Sequence, residues 1–351
     1  MYASLVVFAL AAALTSCGPT VENSDQKSSN QKSQVKAQDW ALVIHGGAGH
    51  FDEESYTKEE EEAYRSNLQA ALDAGIAVLA QGGSSMDAVE AVIVTLEDCP
   101  LFNAGKGAVF TSEGINEMDA SFMDGQTINC GAVTGIQNVK NPIKAARLVM
   151  DSSPHVFFSG AGATQFAREN GLVMVDSSYF RTEKSWDRYL KAKAKHDSPS
   201  AALPSSYKFG TVGCVALDKQ GNLAAGTSTG GMTWKENGRI GDSPVIAAGT
   251  YADNNSCAIS CTGHGEYFIR AAVAHDIAAR KEYKDIPLQQ AAEEVVMKKL
   301  VDMGGEGGVI GVDNLGNVVM CYNSTGMFRA YATASGDSEI AMYGPYQSAL
   351  N

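Results

Sequence analysis

The chain predicts an α+β fold, with antiparallel sheets covered by helices. Three observations point there. Strand-like stretches lead in each half, and helix-period stretches follow them. Hairpins outnumber the long crossovers that a parallel sheet needs. No internal repeat imposes a solenoid or propeller period. The 351 residues are 44% hydrophobic and 19% charged, enough apolar material for one large domain or two. A net charge of −13 argues against nucleic acid as a partner. No apolar stretch is long enough to span a membrane as a helix.

The elements follow in order. Residues 5–14 form a short run of Ala, Val and Leu that ends in Leu14-Thr15-Ser16-Cys17. This has the form of a bacterial lipoprotein signal over residues 1–17, with Cys17 as the lipidated residue. It lacks the positive charge that normally precedes the apolar run. An ordinary cleaved signal with a coincidental Cys is the alternative. Residues 18–38 are rich in Ser, Asn, Gln and Lys, with little to bury, and read as a disordered tether.

The folded part begins near Trp40. Residues 40–44 read as a buried strand, followed by His45-Gly46-Gly47-Ala48-Gly49. Neither a GxGxxG nor a P-loop pattern is present, so these glycines indicate close backbone packing rather than phosphate binding. His45, alone among apolar residues, reads as a satisfied structural histidine. Residues 59–81 form a helix with a Thr57/Glu60 capping box and an apolar face of Leu68, Leu72, Ile76 and Leu79. Ser84 and Asp87 cap a second helix over 86–97. The loop 99–111 is too apolar to lie exposed, and its buried carbonyls need partners.

Strands follow at 118–123 and 128–134, then helices at 142–150 and 163–170. Residues 176–208 read as a surface linker with a short helix around 186–195. Residues 211–217 and 223–229 pair as a hairpin about an Asp218–Asn222 turn. Residues 267–281 form an amphipathic helix with Ile269, Val273 and Ile277 inward, and 288–303 form another. A last hairpin joins 308–312 to 318–322. Of seven cysteines, none has zinc spacing. Free buried thiols are favoured over a Cys257–Cys261 disulfide.

Gly210-Thr211 stands out at the junction of the polar linker and the buried strand. A Thr heading a strand is ordinarily structural. A Thr at a new chain start is different, because an α-amino group titrating at about 8 can serve as base to its own hydroxyl. Gly210 crowds the bond before it least.

Six stretches, in order, resemble the isoaspartyl peptidase/L-asparaginase family of plant type, within the N-terminal nucleophile hydrolases. They are His45-Gly46-Gly47-Ala48-Gly49, the 99–111 loop, Gly210-Thr211-Val212-Gly213, Thr227-Ser228-Thr229-Gly230-Gly231, the segment from Gly238 to Pro244, and that from Ser260 to Glu266. They cover nearly everything from Trp40 to Tyr343. The resemblance implies a four-layer αββα sandwich, self-cleavage at Gly210–Thr211, and fragments 39–210 and 211–351 that stay together as a dimer of such pairs.

By position, Thr211 is then the nucleophile and Thr229 orients it. Thr262 and Gly263 form the oxyanion hole and, with Gly265, line the substrate site, where Arg239 holds the substrate α-carboxylate and Asp242 its α-ammonium. Asn103 is expected close to Thr211. No cofactor is implied for catalysis. A structural sodium-type ion is implied on the main-chain carbonyls of Val94, Glu97, Cys99, Phe102, Ala104 and Lys106. Trp234 stands where relatives often carry a small polar residue, which leaves substrate preference open. The expected activity is hydrolysis of β-aspartyl dipeptides and L-asparagine, in an enzyme anchored by lipid or periplasmic in a bacterial envelope. The competing readings are a glycosylasparaginase-like hydrolase and a non-catalytic lipid-anchored binding protein.

Overall fold

A computed structural model describes residues 38–197, 210–344 and 346. The expected signal, the lipidation at Cys17 and nearly all of the tether lie outside the described residues, as does the linker part 198–209.

An eight-stranded sheet has β1 (Ala41–Gly49) and β5 (Val212–Leu217) side by side in its interior. Around them lie β2 (Met118–Asp124), β3 (Cys130–Ile136), β4 (Phe157–Ser159), β6 (Leu223–Thr229), β11 (Gly326–Thr333) and β12 (Ser338–Tyr343). The order is β12-β11-β1-β5-β6-β2-β3-β4. A four-stranded sheet has the order β10-β9-β8-β7, from β7 (Thr250–Ala252), β8 (Cys257–Gly263), β9 (Gly307–Asp313) and β10 (Val318–Tyr322). All neighbours are antiparallel except β3 and β4.

Strand periodicity explains the burial. Leu42 and Ile44 of β1 point into one core, where they meet Leu68 and Leu72 of α1 (Lys58–Ala80) and Val89 and Ile93 of α2 (Ser85–Asp98). Ala41 and Val43 point the other way, into a core with Val215, Leu217, Ala258 and Ile310. Both faces of the strand are therefore covered, and the run is apolar throughout. A third core lies between the small sheet and α7 (Val273–Lys284) and α8 (Leu288–Glu293), through Ile259, Val273, Ile277 and Val309. Helices α3 (Pro142–Ser152) and α4 (Gly160–Glu169) join the first core.

Local signals place much of this. Thr57 accepts the Glu60 N–H and Glu60 the Thr57 N–H, closing the capping box of α1. Asp218 accepts N–H groups of Gln220 and Asn222, which fixes the β5–β6 turn. The glycines after residue 44 do not end β1. The strand runs on to Gly49 with a bulge between His45 and Gly47. A methyl at Gly46 would sit 2.4 Å from the Phe102 ring, so the close-packing reading holds.

Four expectations are corrected. The 267–281 helix is two: α6 (Gly265–Ala271) and α7, broken at Ala272, which is left-handed at φ 50°. That break turns Ile269 outward, at 38% exposure, while Val273 and Ile277 stay buried. The 288–303 stretch is helical, but α8 and α9 (Leu300–Met303) are joined by a π-helical segment at Glu294–Lys299. The 308–322 hairpin is not the last, since β11 and β12 return to the large sheet beside β1. Within 176–208, helix α5 (Glu183–His196) starts earlier than expected and is not merely a linker. Its Tyr189 is buried, stacks on Trp234 at 5.5 Å, and sits 4.8 Å from Trp186.

Candidate active site

Thr211 is buried at the entrance of β5. Its Oγ1 donates to Thr229 Oγ1 at 3.1 Å and lies 3.5 Å from Ser243 Oγ. The hairpin makes the first contact. Val212 pairs with Ser228 across β5 and β6, which leaves Thr211 and Thr229 just beyond the last rung. Thr229 Oγ1 also accepts the Gly231 N–H at 3.0 Å, so its own position is fixed.

Asn103 binds the other side of the Gly210–Thr211 bond. Its N–H donates to the Gly210 carbonyl at 3.1 Å, and its carbonyl accepts the Gly230 N–H at 3.0 Å. Its side chain donates to the Gly231 carbonyl at 2.7 Å and accepts the Val109 N–H at 2.9 Å. A methyl at Gly210 would lie 2.7 Å from Asn103 Cβ, so only glycine permits this approach. The expected proximity of Asn103 to Thr211 is thus present through the Gly210 carbonyl.

Thr262, fully buried on β8, accepts the Ala48 N–H at 3.2 Å. That leaves its own hydroxyl proton available to a further acceptor. A methyl at Gly263 would meet the Glu306 carbonyl at 2.5 Å. Gly265 packs on Asp242, where a methyl would lie 2.9 Å from Asp242 Oδ1.

Asp242 is 4% exposed, and its Oδ2 has no hydrogen-bond partner among the described residues. Burial pushes its carboxyl up to about 7, against its own backbone N–H and the Arg239 charge, which pull it down. A buried carboxylate with an empty oxygen favours an incoming cation. Arg239 presents a fork of donors, and here that fork holds Glu266, at 2.9 and 3.0 Å. A methyl at Gly241 would press within 2.9 Å of the guanidinium, so the glycine makes room for it. The arrangement therefore offers a planar cation and a buried anion from one short loop.

Several residues here had no role in the sequence reading. Ser243 follows Asp242 directly, and that adjacency was the available signal. Glu266 sits inside a recognised stretch, but nothing local says it reaches Arg239, 27 positions away. Lys235 is 6% exposed, donates to the Glu117 carbonyl at 2.8 Å, and lies 3.9 Å from Asp119. His45 is buried, with Nδ1 3.0 Å from the Thr211 carbonyl and Nε2 3.0 Å from Ser260 Oγ.

Among the described residues, no three His, Cys, Asp or Glu side chains gather as a metal site. Cys257 and Cys261 are free and buried on β8.

The chain is similar to curated proteins over most of its length. It is 47% identical over 306 residues to the isoaspartyl peptidase of Salmonella typhimurium, covering 86% of this chain and 98% of that one. It is 46% identical over 326 residues to a probable isoaspartyl peptidase/L-asparaginase 2 of Arabidopsis thaliana, covering 87% and 99%. To the human isoaspartyl peptidase/L-asparaginase it is 40% identical over 287 residues, covering 82% and 91%. With the asparaginase model matching residues 38–342, around a Thr211 hydroxyl held by Thr229, the chain belongs to the asparaginase family.

Proposed function

We propose that this protein is a self-cleaving amidohydrolase of β-aspartyl dipeptides and L-asparagine, with Thr211 as nucleophile. The carrying observation is the Thr211 hydroxyl, which is bonded to Thr229 while Asn103 holds the carbonyl of the preceding peptide bond.

Self-cleavage comes first. Thr211 Oγ1 attacks the Gly210 carbonyl carbon, and the Asn103 N–H supports the charge that develops on its oxygen. The Gly210–Thr211 C–N bond then breaks, the proton lost from Oγ1 goes to the Thr211 nitrogen, and the Gly210 acyl group is left on Oγ1 as an ester. Water then splits the ester, leaving a Gly210 carboxylate and a free Thr211 amine.

In the cut enzyme that amine takes the Oγ1 proton as Oγ1 attacks the β-carbonyl of the substrate. The tetrahedral oxyanion is met by Thr262 Oγ1–H and Gly263 N–H. One such donor contributes on the order of 3 kcal/mol to transition-state stabilisation. Collapse leaves a β-aspartyl ester on Thr211 and releases ammonia or a peptide amine, which carries away the proton. Water completes the turnover. Arg239 takes the α-carboxylate as a bidentate pair, displacing or sharing Glu266. Asp242 takes the α-ammonium on its unpartnered oxygen.

The finer architectural reading is a four-layer αββα sandwich. The separate cores on either side of each sheet support it. The loop after α2 suits a sodium-type ion held by main-chain carbonyls of Val94, Glu97, Cys99, Phe102, Ala104 and Lys106. In support, methyls at Gly105 and Gly107 would meet the Glu97 and Phe102 carbonyls at 2.4 and 2.0 Å, so the loop closes around its own oxygens. Such an ion would brace the loop that carries Asn103. Dimerisation of fragment pairs and envelope anchoring through Cys17 complete the proposal.

The test is a gel and an assay on one preparation. Wild type should run as two fragments, with Thr211 as the new N-terminus, and should hydrolyse β-aspartyl-leucine and asparagine. Thr211→Ala should stay one chain and be inactive. An active, uncut wild type would refute the mechanism, and a preference for a glycosylasparagine would move the substrate class.

A further inference from the structure

His45 is a buried titratable group that the mechanism above does not use. It rests between two partners of different kinds. One is the Thr211 carbonyl, 3.0 Å from Nδ1, and a carbonyl can only accept. Nδ1 therefore carries the proton. Burial, partly opposed by that same carbonyl, lowers the imidazole to about 3, so it is neutral and Nε2 is an acceptor. Ser260, 3.0 Å from Nε2, must then donate to it.

Each hydroxyl has one proton, so the assignment propagates. Ser260 has spent its proton, so the proton in the 2.7 Å contact with Thr227 is that of Thr227, which turns to this closer acceptor rather than to the Gly249 carbonyl at 3.2 Å. Thr250 must in turn donate to Thr227 at 2.6 Å. Ser121 supplies the head of the relay, its proton lying between Thr250 Oγ1 at 2.7 Å and the Ser243 carbonyl at 2.6 Å. All these hydroxyls are fully buried, and they alternate between the two sheets. The result is a one-way chain of donors that ends on the residue whose hydroxyl does the chemistry.

Gly213 shows that the chain needs a gap in the packing. It pairs with His45 across β1 and β5. A methyl there would lie 2.0 Å from Ser260 Oγ and 2.3 Å from His45 Nε2. The missing side chain is the gap through which the His45–Ser260 bond passes.

Resting on Thr211 as nucleophile, we infer that His45 is a positioning residue: the hydroxyl relay ending at Ser260 presents its Nδ1–H to the Thr211 carbonyl and pins the terminal residue after cleavage. The need arises with the cut. Thr211 lies beyond the last β5–β6 rung, and a free chain terminus frays unless it is tied down. Pinning the carbonyl sets the peptide plane between Thr211 and Val212. It thereby restrains where the amine and Oγ1 point. The same bond matters less before cleavage, when Gly210 and Asn103 hold the other side.

The experiment uses the full chain. Ser260→Ala leaves Nε2 without a donor and frees the imidazole to turn its lone pair on the Thr211 carbonyl. Self-cleavage should reach completion and KM should stay within about twofold, while kcat falls by roughly ten- to a hundredfold, the scale of a nucleophile misplaced by about 1 Å. Ser260→Thr, which keeps the hydroxyl, should recover most of the loss. A merely structural role would lower the melting temperature without this split of kcat from KM. Independently of any variant's folding, nitrogen NMR of the wild type should show a His45 resonance, assigned through its own backbone, that is neutral and Nδ1-protonated from pH 5 to 8. Unchanged kcat in fully cut Ser260→Ala, or an Nε2-protonated or titrating His45, would overturn the inference. Thr211→Ala separates the two layers: activity there sinks the nucleophile assignment itself, whereas an inert Thr211→Ala beside a normal Ser260→Ala sinks only the role of His45.

Discussion

Replacing Asp242 by Asn should stabilise this protein while disabling it, and the gain should depend on pH. The carboxyl is buried and pushed from an ordinary 3.8 up to about 7. Its folded-state value lies above its unfolded one. The proton is therefore held more tightly in the folded chain, and stability is lost as pH rises from about 4 through 7. At about 1.36 kcal/mol per tenfold change in proton affinity, the full cost above pH 7 is on the order of 4 kcal/mol. At pH 5 only about 2 kcal/mol of it is present, because the unfolded carboxyl alone has ionised. Asn removes the cost at both values, so its advantage over the parent should grow by roughly 2–3 kcal/mol from pH 5 to pH 8.

The assay is urea unfolding at both values in a Thr211→Ala background, which keeps the chain in one piece and the comparison within a single molecule. Other titrating groups cancel in the difference between variant and parent. An advantage that is equal at pH 5 and 8 would refute the argument, since the buried charge would not then be its source. In the cleavable enzyme, the ammonium of the substrate needs the ionised form, so KM for asparagine should rise as pH falls below 7.

The remaining predictions concern recognition and location. Asparagine and β-aspartyl peptides share the α-carboxylate and α-ammonium but differ in the leaving group. Arg239→Lys should therefore lower kcat/KM for both, by about ten- to a hundredfold for the 1.5–3 kcal/mol of a charge-assisted bond. Self-cleavage should survive, because the precursor offers no free α-carboxylate. Normal turnover of both substrates by Arg239→Ala would show the clamp to be misassigned. Cys17→Ser should release the protein from membranes or leave its leader uncut. Recovery of unmodified full-length protein from the cytosol, with Met1 intact, would refute the anchor.

What the sequence made legible depended on how far apart the partners lie along the chain. Thr57 and Glu60 are one helical turn apart, and their capping box was readable. Thr211 and Thr229 face each other because the Asp218–Asn222 turn folds one short hairpin, so local turn chemistry carried that contact. The break at Ala272 had no local signal. Alanine is the best helix former, yet it stands left-handed here, and the N–H groups of Ala274 and His275 that follow it go to the carbonyls of Ala248 and Ala247, far back along the chain. Strand β8 was equally hidden, because Cys257-Ala258-Ile259-Ser260-Cys261 mixes small polar and apolar residues, with both faces buried. The contacts of Arg239 with Glu266 and of His45 with Ser260 exist only once two strands or loops are brought together.

His45 shows why the bland reading and the functional one are not exclusive. A buried histidine satisfied on both nitrogens is what a structural role predicts, and both nitrogens are satisfied. Satisfaction alone does not say what is being held. Here one partner is the main chain of the residue that must become a free terminus and still keep its hydroxyl in register. The other is the end of a donor chain that crosses between the two sheets, through a gap that a methyl at Gly213 would close. Self-cleavage removes the tether on the amino side of Thr211 and keeps those on its carbonyl and its hydroxyl. The covalent link to Gly210, which Asn103 steadies, is lost, while the hydrogen bond from His45 does not depend on it. A nucleophile made by cutting the chain needs a hold that survives the cut, and the carbonyl side of Thr211 is where such a hold can be placed.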